Sequence, residues 1–348
     1  MKIGIDTRLK NESGVGRYIR NLLLNLKQIN PEHEYVSIDP DIRWHSLREQ
    51  IQMPFILGKK YDLVHFPYFN VPIFFRGKFV MTVHDLIINT YATGKASTLN
   101  PILYWLKRLA YLFVLRIAVY RAQKIIVPSL AVKAQLLGEY KLSEEKVVVI
   151  YEGIDKKLTE AVGGRDILNR YQLKPEGYLL YVGNAYPHKN LETLLKTFNA
   201  INEADLKLVL VGKYDYFYNQ LIAGNMNRDI IFTGFIKDEE LVYLYQNALV
   251  LIQPSLMEGF SLPTIEAMGR ECPVLCSDIP VHREVCQEAA VYFVPQDAQD
   301  LNNKIMELVA DKNKRSRLVE LGKERVRYFS WEMAAKQTLE VYESCVSL

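Results

Sequence analysis

Two glutamates, Glu258 and Glu266, flank a short donor-rich turn in the stretch PSLMEGFSLPTIEAM, Pro254 to Met268. Pro263 suits the first turn of a helix and Ser261 a cap just before it, so the amides of Gly259, Phe260, Ser261 and Leu262 are expected to act as donors to an anion or a hydroxyl. Two carboxylate acceptors around such a turn fit a polyol that carries phosphate. One carboxylate can hold sugar hydroxyls and the other a ribose diol, as an acidic residue does in dinucleotide folds. Taken alone, the stretch also reads as an ordinary helix start with two surface glutamates.

Lys189, in YVGNAYPHKNLETLL, follows a strand-like run and opens the next helix. A cation there is repelled by the helix dipole unless it has an anion to meet, and a fixed charge at that place can stabilise a diphosphate leaving group. His84 ends the strand-like run of MTVHDLI, beside Asp85, where a histidine is either a structural hydrogen-bonder or part of a site. Gly14 and Gly16, in SGVGRY, follow the first strand and precede a helix, a place where glycines let backbone amides approach a phosphate. The third glycine of a dinucleotide fingerprint would fall at Ile19, and no G-K-[ST] closes a P-loop, so a tight turn is an equal reading.

The elements that must position these residues are short, continuous apolar runs with helical stretches between them. KIGID, YDLVHF, KFVMTVHD, KIIVPS and KVVVIYEG lie in the first half; GYLLYVG, LKLVLVG, DIIFTG, ALVLIQPS, CPVLCS and AVYFV lie in the second. Such runs predict strands buried on both faces of parallel sheets, built from right-handed βαβ units. The fold class expected is therefore α/β, with two doubly wound, Rossmann-like domains facing across a cleft: residues 1–165, residues 166–328, and a terminal helix over 329–348 that returns towards the first domain. Ser330 is its predicted N-cap. Ligands of open α/β sheets gather outside the carboxyl ends of the strands, which is where every residue named above falls.

At 348 residues, 49% hydrophobic and 24% charged, the chain has the composition of a globular protein with room for two cores. The net charge of +3 conceals an uneven distribution. Residues 1–170 carry 25 basic and 16 acidic side chains, a net of +9, and residues 171–348 carry 18 and 24, a net of −6. A basic half suits an anionic partner such as a membrane surface; nothing points to nucleic acid. Cys272, Cys276, Cys286 and Cys345 lack zinc spacing, so no metal site is expected, and reduced thiols in the cytoplasm are the default. The chain opens directly on a strand, with no signal peptide expected. No run reaches the roughly 18 apolar residues of a membrane span. The segment Asn100 to Lys124 is apolar but carries Lys107, Arg108, Arg116 and Arg121 around its circumference, which reads as a domain helix with snorkelling cations or as a peripheral membrane contact.

Over nearly its whole length the sequence resembles the retaining glycosyltransferases of family 4, which have the GT-B fold. PSLMEGFSLPTIEAM…PVLCSDIPVHREV resembles that family's E-x7-E signature, and YVGNAYPHKNLETLL, FTGFIKDEELVYLYQNA, VHDL, VPSLAVKAQL and VIYEGID follow its order. The resemblance implies metal-independent transfer of a hexose, with retained configuration and no cofactor, from a nucleotide diphosphate sugar to a glycan or lipid-phosphate-linked acceptor. GDP-mannose or dTDP-rhamnose is the expected donor, and cell-surface polysaccharide or lipopolysaccharide the product, made on the inner face of the membrane. Carried over, Lys189 neutralises the pyrophosphate, Glu258 binds the donor sugar, Glu266 holds the ribose, and Gly259 to Leu262 donate amides. Main chain near Phe235 and Ile236 meets the base, His84 lies near the reacting centre, and Gly14 and Gly16 lie near phosphates and acceptor. The sequence departs from the pattern at Asn184, where many members have arginine, and at Ser261 and Glu271, where glycine is usual. The alternatives are a UDP-sugar-dependent glucosyl or N-acetylhexosaminyl transferase of the same fold, a NAD-dependent dehydrogenase, and a non-catalytic nucleotide-sugar-binding module.

Overall fold

A computed structural model describes residues 1–12, 14–90, 100–155, 163–203 and 205–346. The chain divides into two compact units, Met1–Gly153 with Ser330–Leu348, and Ile154–Phe329. Residues 156–162, just before the domain boundary expected between residues 165 and 166, lie outside the described residues.

Each unit is built on a six-stranded parallel sheet, with order β2-β1-β3-β4-β5-β6 in the first and β12-β11-β10-β7-β8-β9 in the second. Strands β1 (Lys2–Asp6), β3 (Leu63–Phe66), β4 (Phe79–Thr82), β5 (Lys124–Val127) and β6 (Val147–Val149) are the apolar runs of the first half. Strands β7 (Tyr178–Val182), β8 (Lys207–Val211), β9 (Ile230–Gly234), β10 (Val250–Gln253), β11 (Val274–Ser277) and β12 (Ala290–Phe293) are those of the second. The remaining strand, β2 (Glu34–Ile38), escapes a search for continuous apolar runs because it is an edge strand, with only Tyr35 and Ile38 buried. Its register with β1, Ile3 opposite Tyr35, is set by those two inward residues.

In the first unit, helices Leu47–Leu57, Pro101–Arg121 and Leu130–Tyr140 bury one core on one face of the sheet, against Phe66, Met81 and Val127. Helices Gly14–Ile29 and Trp331–Val346 bury the other, against Ile3, Ile5 and Ile126. The last helix starts where expected: the Ser330 hydroxyl accepts from the Glu332 amide at 3.2 Å. At Gly153 the chain passes so close to its returning segment that a Cβ would lie 2.2 Å from the Trp331 nitrogen, a contact only glycine permits. In the second unit, helices Leu191–Ala200 and Ala298–Ala310 bury Leu194, Phe198, Leu301 and Ile305 over Leu179, Leu208 and Ile252.

Both sheets have a switch point, where successive strands depart on opposite sides of the first. It lies between β1 and β3 in one unit and between β7 and β10 in the other.

Candidate functional site

The loops after β7 and β10 meet at the second unit's switch point. After β7 the chain makes a short 3₁₀ turn, Pro187–Lys189, and Asn190 takes a left-handed conformation at φ 57° before the helix Leu191–Ala200 begins. Lys189 thus sits two residues ahead of that helix, with Asn190 between, rather than in its first turn. The Asn190 side-chain Nδ2 donates to the Pro254 carbonyl at 3.1 Å, and the Leu256 backbone amide to the His188 carbonyl at 2.7 Å, so the two loops are laced together.

That lacing delivers Lys189 to Glu258. The ammonium donates to both carboxylate oxygens, at 2.7 and 2.8 Å, and the Ser255 hydroxyl donates to Oε1 at 2.7 Å. Both side chains are largely shielded from water, so their attraction is less screened than in a surface pair, against a larger desolvation cost. Burial pushes the Glu258 carboxyl up, but the charge and hydrogen bonds of Lys189, with Ser255, hold it below the ordinary carboxylate value. His282, whose Nδ1 lies 2.9 Å from the Ser277 carbonyl, is pulled below the ordinary imidazole value by burial. His188 is pushed down to about 4, by burial and then by the Lys189 charge.

Glu266 follows in the helix Leu262–Met268, is buried, and accepts from the Tyr245 hydroxyl at 3.1 Å. The turn between the glutamates differs from the expected cap. Ser261 adopts φ 78°, and its hydroxyl makes no capping bond and is a buried oxygen without a hydrogen-bond partner. The Ser261 carbonyl accepts from Thr264 instead. A β-carbon is uncomfortable at that φ, which is why glycine suits the position. Glu271 is held likewise, at φ 60°. The Phe260 ring is buried edge-on against Phe329, 5.5 Å between centroids, leaving its backbone as the part able to serve a ligand. Asn184 is turned inward on its own loop: its carbonyl accepts from Tyr181 at 2.6 Å and its side chain from the Tyr186 amide at 3.3 Å. Phe235 is exposed and Ile236 buried at the carboxyl end of β9, two strands from β7.

His84, Gly14 and Gly16 belong to the first unit. Both His84 ring nitrogens face acceptors, Glu152 Oε1 at 3.0 Å and the Pro67 carbonyl at 3.0 Å. Burial lowers its pKa, but the Glu152 carboxylate, the Pro67 carbonyl and Asp85 more than offset this, so the net shift is upward and favours an imidazolium. The Tyr18 ring meets it edge-on at 4.7 Å. A Cβ on Gly16 would lie 2.6 Å from the Lys10 carbonyl, so glycine there seats the helix on the β1 loop; a Cβ on Gly14 meets nothing within 4 Å.

Sequence reading missed a second polar cluster, at the switch point between β1 and β3. Arg8 donates to Asp6 through Nε at 2.9 Å and through Nη2 at 2.5 Å, and Nη2 also reaches Glu49 at 2.6 Å. Asn70 donates to Glu49 as well. Trp44, Pro67 and Tyr68 line the same crevice. An arginine two residues past the first strand was the signal available, and it becomes informative only once β3 is known to lie beside β1. Among the described residues, no group of three or more His, Cys, Asp or Glu is gathered to hold a metal ion, and all four cysteines are free and buried.

Residues 166–325 match the family model "Glycosyl transferases group 1", and residues 27–158 match "Glycosyltransferase Family 4". The O-antigen chain mannosyltransferase RfbU of Salmonella typhimurium is 29% identical over 66% of this chain and 64% of its own length. The O-antigen chain mannosyltransferase B of Escherichia coli is 32% identical over 51% of this chain and 48% of its own. The chain therefore spans between about half and two thirds of these relatives. The fold is shared with sucrose-phosphate synthase of Thermosynechococcus elongatus, at a TM-score of 0.79 and 22% identity, over 100% of this chain and 99% of that one.

Proposed function

Because the chain belongs to the family 4 glycosyltransferases, we propose that it moves a hexose, with retention and without a metal, from a nucleotide diphosphate sugar to a glycan or lipid-linked acceptor. The observation that carries this reading is the Lys189–Glu258 pair at the switch point between β7 and β10, the place where α/β sheets bind nucleotides. Mannose is the sugar read here, with GDP-mannose the donor and dTDP-rhamnose the runner-up, since both curated relatives named above are called mannosyltransferases. The acceptor is placed on a lipid phosphate at an anionic membrane surface, as the net +9 of residues 1–170 suits. Four buried, unpaired thiols fit a reducing, cytoplasmic setting.

Donor binding exchanges partners within the pair. Lys189 turns to the pyrophosphate and stabilises the charge that grows as the sugar leaves. Glu258, kept ionised by its neighbours, accepts hydroxyls of the donor sugar. Glu266 takes the ribose, the amides of Gly259 to Leu262 take phosphate or sugar, and main chain at Phe235 and Ile236 takes the base. Gly14 and Gly16 serve the phosphates and acceptor. His84, with acceptors on both nitrogens, enters as a donor of positive charge near the reacting centre rather than as a base. Reaction on one face of the sugar leaves the acceptor's proton to the departing phosphate.

Thermal stabilisation across GDP-, UDP-, dTDP- and ADP-sugars tests the reading. GDP-mannose at 100 times its dissociation constant should add about 2.7 kcal/mol to the folded state, an effect lost in Glu266→Ala. A response to UDP-sugars alone would move the chain to the glucosyl or N-acetylhexosaminyl alternative. A response to NAD and to no nucleotide sugar would overturn the transferase. NMR of the product's anomeric configuration tests retention.

A further inference from the structure

The helix Pro101–Arg121 is apolar on two opposite faces. Leu115, Ala118 and Val119 point into the first unit's core and are fully buried. At 100° per residue, Ile102, Trp105, Leu106, Leu109 and Phe113 fall on the other side within a single stripe, and the structure leaves Ile102 73%, Leu106 60% and Phe113 59% exposed. A second stripe lies on the helix Leu47–Leu57, where Leu47 at 83%, Ile51, and Phe55 at 80% recur every fourth residue, away from buried Met53 and Leu57.

The two helices belong to one surface. Both cover the same face of the sheet, and one loop joins them: the Ile73 amide donates to Gln50 at 2.8 Å, and Arg121 donates to the Ile73 carbonyl at 2.5 Å and to that of Phe75. Phe74, in that loop, is also exposed. Contiguous exposed apolar side chains on this scale mark a surface that something covers.

Charge selects what covers it. From Leu86 to Gly138 the sequence holds no Asp or Glu but seven Lys or Arg, of which Lys107 and Arg116 are exposed on the long helix. Arg116 continues the apolar stripe, one turn past Phe113. Arg43, Arg48, Lys59, Lys60 and Arg76 are exposed around the second stripe and the loop. A second copy of the chain would bring like charges together, whereas phospholipid headgroups supply the opposite sign beside an apolar layer that Leu, Phe and Trp can enter. No described helix is long and apolar enough to cross a membrane. We propose that the outer face of the helices Leu47–Leu57 and Pro101–Arg121, with Phe74 between them, docks this protein on an anionic phospholipid bilayer. The inference deepens the functional reading, because it assigns the face that meets a membrane-borne acceptor.

The test is sedimentation of the full chain with vesicles of phosphatidylglycerol and phosphatidylcholine, and with vesicles of phosphatidylcholine alone. Binding should need the anionic lipid and weaken with added salt. It should fall at least tenfold in Leu106→Ser/Leu109→Ser/Phe113→Ser and in Lys107→Glu/Arg116→Glu, and by a smaller factor in Leu47→Ser/Phe55→Ser. All of these residues are exposed, so the melting temperature should stay within a few degrees of the parent. Trp105 fluorescence should shift to the blue on vesicle binding, a change absent in Trp105→Phe. Equal binding to both vesicle types, or unchanged binding in the triple variant, would overturn the proposal. So would a lipid-free dimer that the triple variant dissociates, since the surface would then be a self-interface. Stabilisation by a nucleotide sugar should persist in every variant, and its absence in the parent would count against the transferase while leaving the vesicle result standing.

Discussion

At the scale of residues, the second unit holds a lysine and a glutamate that satisfy one another. Removing one partner leaves the other charge buried, so Lys189→Met should destabilise the second unit by about 3 kcal/mol. The same variant should cut turnover by about 10²–10³, the usual loss when a charge-stabilising donor is removed. Its pH dependence has a definite sign. Glu258 in the folded chain ionises below its ordinary value of 4.5. The stabilisation is therefore present above that value and lost as pH falls through the lower, folded one. Lys189→Met should flatten the acid limb of a stability–pH curve; an acid limb identical to the parent's would show that the pair contributes nothing to it. His84 runs the other way. Its raised value means that its contribution is complete below about 6.5 and lost as pH rises through the folded value.

At the scale of elements, the turn between Glu258 and Glu266 is held in a conformation its sequence does not prefer. Ser261 sits at φ 78° with its hydroxyl buried and unbonded, and Glu271 sits at φ 60° just past the helix Leu262–Met268. Ser261→Gly should relieve about 1 kcal/mol of backbone strain, partly offset by the greater freedom of glycine in the unfolded chain. A small rise in melting temperature is the expected result. A fall would mean that the serine makes a contact worth more than the strain. Glu271→Gly gains less, because it gives up the 3.0 Å ion pair with Lys323, which is a surface one. The departures from the usual glycines were legible in the sequence; the backbone that makes them strained was not. The expected Ser261 cap fails for the same reason, since a capping residue needs extended backbone, which a left-handed φ denies it.

At the scale of the whole molecule, the first unit is completed by a helix from the far end of the chain. Trp331, Ala335, Leu339 and Tyr342 are buried with Ile3, Ile5 and Tyr18 in one core. Tyr342 also bonds His65 at 2.6 Å, and His65 bonds Thr82 at 2.8 Å, extending a buried polar chain into β3 and β4. Burial pushes His65 down to about 3, so it stays neutral throughout the physiological range. Trp331→Ala should cost about 3–5 kcal/mol. Hydrogen exchange should report that loss in β1 and β3–β5 while β7–β12 keep their protection. Equal loss of protection in both sheets would mean that the two units unfold as one.

The sequence by itself determined the strand set of both sheets, except for edge strand β2. It also determined the loops that carry Lys189 and Glu258 and the helix start that carries Glu266, because continuous apolar runs and turn residues are local signals that survive any arrangement of the chain. It could not bring Lys189 to Glu258, 69 residues apart, since that contact exists only when β10 pairs with β7 on the side away from β8. Nor could it join Arg8 to Glu49, or separate the inward face of the helix Pro101–Arg121 from the outward one when both are apolar. Those outcomes belong to the tertiary structure, because strand order and helix orientation are set by which surfaces bury one another, a sum over the whole core rather than a property of any segment.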